Sequence, residues 1–233
     1  MTEEQRTIAN NIGRIRERIA TAADRAGRSP ENILLIAVTK YADVAQTRCV
    51  ALAGLHDLGE SRPQILWEKA TSLTNESIRW HLVGHLQRNK VARTVARTHL
   101  IHSVDSHRLL KEIDRESGKL NRAADILLEV NISGDADKHG FSPSDLDETL
   151  GLIAELPHIR VHGLMAMASR DGGPSVAQKE FAAVRALRDR LSEDLPTNIS
   201  LNELSLGMSG DLEEAILEGA TMVRVGRALF ENL

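Results

Sequence analysis

Aromatic side chains are scarce in this sequence: one tyrosine, two tryptophans and three phenylalanines among 233 residues. So few flat rings argue against a platform for stacking nucleic-acid bases. Positive charge is not in excess either. The formal net charge is −4, so no basic surface marks a nucleic acid or an anionic membrane as partner. A single cysteine, Cys49, excludes an internal disulfide and fits a reducing, cytoplasmic setting. No apolar stretch approaches about 18 residues, the length of a membrane span. The opening Met-Thr-Glu-Glu-Gln-Arg lacks the basic-then-apolar pattern of a signal peptide. Nine histidines are present, yet no Cys/His cluster has metal-ligand spacing, so no metal is expected.

What the chain does have is a regular alternation of elements. Ile8, Ile12, Ile15 and Ile19 fall on one face of an opening helix; Thr2 with Gln5 forms a capping-box pattern, and Gly27 followed by Pro30 stops the helix. Strand-like runs follow at Ile33–Thr39, Leu55–Gly59, Ile78–Val83, His99–Val104, Asp125–Ile132, Ile159–Met167, Leu201–Leu206 and Thr221–Val225. Helix-like stretches such as Ser106–Lys119, Pro143–Glu155 and Ser175–Glu193 lie between them. Asp105 or Ser106 caps the first of these, and Ser142-Pro143 opens the second. Repeated β-α units predict a parallel sheet, and eight of them a closed (β/α)8 TIM barrel preceded by an N-terminal helix, with residues 1–233 as one domain. The rival is an open doubly wound sheet, which normally has fewer strands and a Gly-rich first turn; the first strand here ends Thr39-Lys40-Tyr41 instead.

In such barrels the reactive groups come from the C-terminal ends of strands. Lys40 stands at one, after a run that reads as fully buried. Withdrawal from water favours a lysine's neutral amine, which attacks aldehydes to form a Schiff base; the bland alternative is a lysine that snorkels to solvent. Gly207, Ser209 and Gly210 precede a helix pattern at Leu212–Glu218. That loop reads either as a phosphate site built from open backbone N–H groups or as a simple helix cap. Arg224 interrupts an apolar strand, either as an ion-paired core residue or as a group facing the barrel mouth. A phosphate site and an arginine opposite a lysine point to a phosphorylated aldehyde, with pyridoxal 5′-phosphate (PLP) as the candidate.

With these motifs in place, the chain resembles the pyridoxal phosphate homeostasis proteins, which share the barrel of the alanine racemase N-terminal domain. The resemblance rests on Ala37-Val38-Thr39-Lys40, Gly59-Glu60-Ser61, the segment from Trp80 to Lys90 (Trp-His-Leu-Val-Gly-His-Leu-Gln-Arg-Asn-Lys) and Leu128-Glu129-Val130-Asn131-Ile132. It continues in Lys138-His139-Gly140, His162-Gly163-Leu164-Met165, Leu206-Gly207-Met208-Ser209-Gly210-Asp211 and Val223-Arg224-Val225-Gly226. It implies that Lys40 holds PLP as a Schiff base and that Ser209, with backbone N–H groups near Gly226 and Arg227, forms the phosphate cup. It further implies that Arg224 faces the pyridine nitrogen, that Met208 lies against the ring, and that Ser61 takes the place of a family asparagine near the cofactor.

Departures from the family pattern are visible. Gly-Glu-Ser-Arg-Pro-Gln-Ile stands where Gly-Glu-Asn-Tyr-x-Gln-Glu is usual, Tyr41-Ala42-Asp43 follows the lysine, Arg227 replaces a small residue, and the tail Phe230-Glu231-Asn232-Leu233 lacks the usual glycine. The implied role is storage, buffering or delivery of PLP, with apo-enzymes as recipients, by a protein that is not an enzyme. An arginine at the ring nitrogen only donates and leaves the ring a weak electron sink. Racemisation also needs a second acid or base across the cofactor. Tyr41, next to Lys40 on an extended chain, would point to the opposite face. His81 and His162 read either as substitutes for that base or as hydrogen-bonded barrel histidines. The alternative function is therefore a low-activity PLP-dependent racemase or lyase, and a third is a cofactor-free scaffold. His81, Gln87, Asn89 and Lys90 form a cluster without a derived role; Lys90 reads as a solvated helix lysine or as a transient aldehyde acceptor. No large apolar surface stands out, and a monomer is expected.

Overall fold

The computed structural model describes residues 1–135 and 139–233. Lys138 of the Lys138-His139-Gly140 motif lies outside the described residues. The opening helix α1 (Glu3–Arg25) has both halves of the Thr2/Gln5 capping box, and its four isoleucines are buried as their spacing predicts. Gly27 adopts φ 65° just after its end, a conformation that suits glycine.

Eight parallel strands close into a barrel in sequence order. They are β1 (Leu34–Val38), β2 (Asp57–Glu60), β3 (Arg79–Leu82), β4 (Leu100–Val104), β5 (Ala124–Glu129), β6 (Ile159–Met165), β7 (Ile199–Ser205) and β8 (Met222–Val225). The helices between them are α2 (Val44–Leu52), α3 (Pro63–Ser72), α4 (Val91–Val95), α5 (His107–Lys119), α6 (Leu146–Ala154), α7 (Gly173–Leu191) and α8 (Leu212–Leu217). The predicted (β/α)8 barrel with a leading helix is what forms.

Boundaries differ where neighbours run out. The fifth strand, expected to Ile132, ends at Glu129 because its partner β6 ends at Met165, the residue paired with Glu129. Val130 then makes an isolated parallel bridge to Phe141, whose N–H donates to the Glu129 carbonyl at 2.8 Å. Pro143–Asp145 is a 3-10 turn, and α6 starts only at Leu146.

The large hydrophobic core lies between barrel and helices, whereas a small second cluster of Ile36, Leu100, Leu127, Met165 and Met222 fills the barrel interior. Side chains of a strand alternate faces with period two. Two residues beyond Leu100, Leu127 and Met222 stand His102, Glu129 and Arg224, all buried. One step toward the C-terminal end thus turns the interior from apolar to polar.

Candidate functional site

Three neighbouring strand ends, those of β7, β8 and β1, assemble the predicted site. Arg224 pairs in register with Ile36, and its backbone N–H donates to the Gly207 carbonyl at 3.0 Å, which ties the loop after β7 to β8. At the end of β8 the chain comes so close to β1 that a Cβ on Gly226 would lie 3.3 Å from the Val38 carbonyl oxygen. Among the described residues, the backbone N–H groups of Ser209, Gly210, Gly226 and Arg227 have no protein partner. Ser209 does not cap the following helix. That position belongs to Asp211, whose carboxylate accepts the Met208 N–H at 2.6 Å. Helix α8 has only six residues, so the donors of this cup belong to two loops more than to a helix end.

The N-terminal helix braces both halves of the cup, a role that sequence reasoning missed. Arg18 donates to the Ser209 carbonyl at 3.1 Å and pairs with Glu213 at 2.7 Å. Asn11, buried on the same helix, donates to the carbonyls of Leu229 and Glu231, each at 3.0 Å. The isoleucine stripe positions the helix, and these two polar residues fix the loops. A buried asparagine inside an apolar face was the available signal.

Lys40 follows β1 in a turn and is half-buried; among the described residues it makes no ion pair. Its ammonium lies 4.9 Å from the centre of the Tyr41 ring. This corrects the expectation that the two side chains point apart: β1 ends at Val38, so strand alternation no longer applies at Lys40 and Tyr41. Behind the lysine, Lys69 of α3 is buried with Glu60 of β2 at 2.5 Å and donates to the Thr39 carbonyl at 2.8 Å. The Thr39 hydroxyl donates to the same Glu60 oxygen at 2.7 Å. A buried ion pair therefore pins the residue preceding Lys40. Glu60 was visible in the sequence as part of a motif, but its partner nine residues on was not read. Ser61 follows β2, and its carbonyl oxygen would lie 2.3 Å from a Cβ on Gly84, so a glycine there lets the loops after β2 and β3 touch.

Arg224 is buried, and burial draws its guanidinium down to about 10, opposed by Glu129 and Asp211. The group stays charged at neutral pH. It makes three bonds, to the Ser205 carbonyl at 2.5 Å, the Ser205 hydroxyl at 2.6 Å and the Ala166 carbonyl at 3.0 Å. A guanidinium has five N–H donors, so it retains some for a ligand.

From Ser205 a chain of buried bonds crosses the interior. Ser205 Oγ lies 2.9 Å from His102 Nδ1, His102 Nε2 lies 3.0 Å from His81 Nδ1, and His81 Nε2 lies 3.1 Å from Asp57. The ends fix the direction of every bond. Burial lowers both histidines' proton affinity, so both are neutral, while His81 and Arg79 overcome burial to hold the Asp57 carboxyl at about 2. Asp57 only accepts, so His81 carries its proton on Nε2 and accepts at Nδ1, and His102 does the same. Arg224 only donates, which leaves the Ser205 O–H free to donate to His102. Arg224 is thus held by a one-way chain that ends on a carboxylate. Glu129 is buried close by, and burial plus the charge of Asp105, against that of Arg224, raise its carboxyl to about 7.

The chain matches the alanine racemase N-terminal domain family over residues 8–232. It is 37% identical over 224 residues to the pyridoxal phosphate homeostasis protein of Pseudomonas aeruginosa, covering 96% of this chain and 95% of that one. The protein of the same name from Aquifex aeolicus is 38% identical over 219 residues, covering 94% and 95%. The chain belongs to this family. Among solved structures, PipY of Synechococcus elongatus with PLP bound superposes with TM-score 0.84 at 34% identity, covering 96% of this chain and 99% of PipY. A protein of unknown function from Bifidobacterium adolescentis superposes with TM-score 0.93 at 34% identity, covering 99% and 97%. An alanine racemase of Clostridium difficile, at 14% identity and TM-score 0.73, shares the fold alone, and this chain covers 56% of its length.

For a member of the pyridoxal phosphate homeostasis family, the seven residues expected at the site fall at one end of the barrel. Lys40, Ser61, Met208, Ser209, Arg224, Gly226 and Arg227 follow or end β1, β2, β7 and β8. Met208 is 41% exposed and Tyr41 71%, so two apolar surfaces stand open at this rim. The two histidines weighed as a second base are engaged otherwise. His81 belongs to the buried chain, and His162, midway along β6, sits 2.6 Å from Asp125. The cluster of His81, Gln87, Asn89 and Lys90 is not one cluster, since His81 is interior while Gln87 and Asn89 are exposed beyond β3. Among the described residues no helix is long and apolar enough to cross a membrane.

Proposed function

We propose that this protein, residues 1–233 acting as one unit, binds PLP and serves its homeostasis in the cytoplasm by storing, buffering or delivering the cofactor. The single observation that carries the reading is the convergence at β7, β8 and β1. Four unpartnered backbone donors, a buried arginine with donors to spare and an unpaired lysine amine stand at one rim. Each suits one part of the cofactor. The loop donors around Ser209 and Gly226 would take the phosphate, with Arg227 beside them. Arg224 would face the ring nitrogen, Met208 the ring plane, and Ser61 the ring edge from β2. Lys40 would hold the aldehyde carbon as a Schiff base, which is the chemistry the bound cofactor supplies.

The homologues' names and the PLP bound to PipY support this reading. So does the chemistry of the rim. Arg224 only donates, which would keep the ring a poor electron sink, and the two histidines weighed as a second base, His81 and His162, are both engaged in hydrogen bonds. The monomeric state and the passing of PLP to apo-enzymes belong to the same proposal.

Mixing the purified protein with PLP is expected to give an absorption band near the visible edge, and borohydride reduction followed by peptide mapping is expected to label Lys40. Lys40→Ala should abolish band and label. An unchanged band in that variant overturns the assignment. Single-enantiomer amino acids incubated with the loaded protein should keep their chirality; sustained turnover on the order of 1 s⁻¹ would make the protein an enzyme instead.

A further inference from the structure

We propose that His85, Asp105 and His139 form a site for one divalent transition-metal ion of the zinc, cobalt and nickel class at the barrel mouth. The three side chains follow β3, β4 and β5, on the side of the rim away from Lys40 and the cup. Entire β/α units separate them along the chain, which is why sequence spacing gave no sign of a metal cluster.

Their donor atoms converge. His85 Nδ1 lies 3.0 Å from Asp105 Oδ2, and His139 Nδ1 lies 3.6 Å from the same oxygen. All three donors lie within 4.8 Å of one another. Around a tetrahedral ion with bonds of about 2.0–2.1 Å, ligand atoms stand about 3.3 Å apart, a value that these two separations bracket. The two imidazole rings are stacked, with centroids 4.2 Å apart and planes 15° from parallel, and both turn Nδ1 toward the carboxylate.

The alternative to a metal is a pair of histidines that simply hydrogen-bond to an aspartate. The surroundings favour the ion. The Asp105 side chain is only 8% exposed, and among the described residues its hydrogen-bond and ion-pair partners are these two imidazoles. Neutralising it with two imidazoliums would press two like charges together in ring contact. One divalent cation satisfies all three donors at once. Two nitrogens and one oxygen suit zinc, cobalt or nickel and not magnesium or calcium, which take oxygen shells. Three protein ligands leave a position for water or a small ligand.

The test uses the full chain without a histidine tag. It is run first free of PLP, because the cofactor itself chelates metals and because failure of the PLP reading must not decide the outcome. Calorimetric titration with Zn²⁺ should show one ion per chain, and titration with Co²⁺ should bring up the visible bands of a low-coordinate site. His139→Ala and His85→Ala should each weaken Zn²⁺ binding at least about tenfold, the scale on which metal affinity answers to the loss of a supporting group, and should remove the Co²⁺ bands. The His139 side chain is 60% exposed, so its truncation should leave the far-ultraviolet dichroism intact. Wild-type binding no tighter than that of either variant, or unchanged Co²⁺ bands in both, overturns the proposal.

Discussion

The two sides of the barrel mouth use different chemistry. The side at β7, β8 and β1 offers backbone N–H groups, a guanidinium and an amine, groups that donate or attack. The side at β3, β4 and β5 offers imidazoles and carboxylates: His81, His102, Glu129 and, beyond the strands, His85, Asp105 and His139. The first side is set up for an anionic, electrophilic ligand. The second is built from acids and bases, and a buried chain from Asp57 to Arg224 joins it to the first. The contrast sets fixed donors on one side against imidazoles and carboxylates on the other, with Arg224 linked to the second side through the Ser205 hydroxyl.

The largest effect is expected behind the first side, where Glu60 of β2 and Lys69 of α3 clamp the end of β1. Lys69→Met removes the partner of Glu60, whose second carboxylate oxygen is already buried without a hydrogen bond. An unpaired buried carboxylate costs about 3–5 kcal/mol, to be read from urea unfolding. Replacing both partners, as in Glu60→Leu with Lys69→Met, should recover most of that. The Thr39 carbonyl stays unclamped in either variant, so PLP affinity should remain weakened when stability returns. A double variant with full affinity would show that the pair supports the fold and nothing else.

Next comes Glu129, which tests the titratable side. Its folded-state carboxyl sits at about 7, above the ordinary 4.5. A group raised in the folded state contributes fully below its unfolded value, and that contribution is lost as pH rises through the folded value. Wild type should therefore lose up to about 3 kcal/mol relative to Glu129→Gln between pH 4.5 and 7. His81 and His102 run the other way, because burial lowers them and acid must charge them on unfolding. The comparison at each pH cancels their share. A constant gap between the two proteins across that window would contradict the raised carboxyl and its causes, which are burial and Asp105 set against Arg224.

How much of this could be read in advance differs between the two sides. Short, nearly continuous apolar runs and the isoleucine stripe gave the barrel and its leading helix, because burial patterns are local in sequence. The cup was legible for a related reason: Gly207 to Gly210 and Arg224 to Gly226 break apolar strands within a few residues of one another. Helices α2, α3 and α4 were not singled out; α2 lacks an apolar stripe, though Asp43 and Gln46 form a full capping box at its start. The polar interior was out of reach. His81, His102 and Ser205 come from three strands, and only closure of the barrel brings them together. Tyr41 was misplaced for the opposite reason, since a strand rule was carried three residues past the end of the strand.

The smallest effect tests the joint between the two sides. Ser205→Ala leaves Arg224 its bonds to the Ser205 and Ala166 carbonyls but deprives His102 Nδ1 of its donor. A buried acceptor left without a partner should cost about 1–2 kcal/mol. Nitrogen-15 spectra of the imidazoles give a sharper readout than stability. In wild type both His81 and His102 should be neutral and protonated on Nε2, with His102 Nδ1 shifted as a hydrogen-bonded acceptor; in the variant that Nδ1 signal should move toward a free acceptor while His81 stays in place. Protonation of His102 on Nδ1 in wild type would reverse the chain's direction. Arg224 would then be bonded to a hydroxyl whose own proton had no acceptor in the chain, and its link to Asp57 would be steric instead of electrostatic.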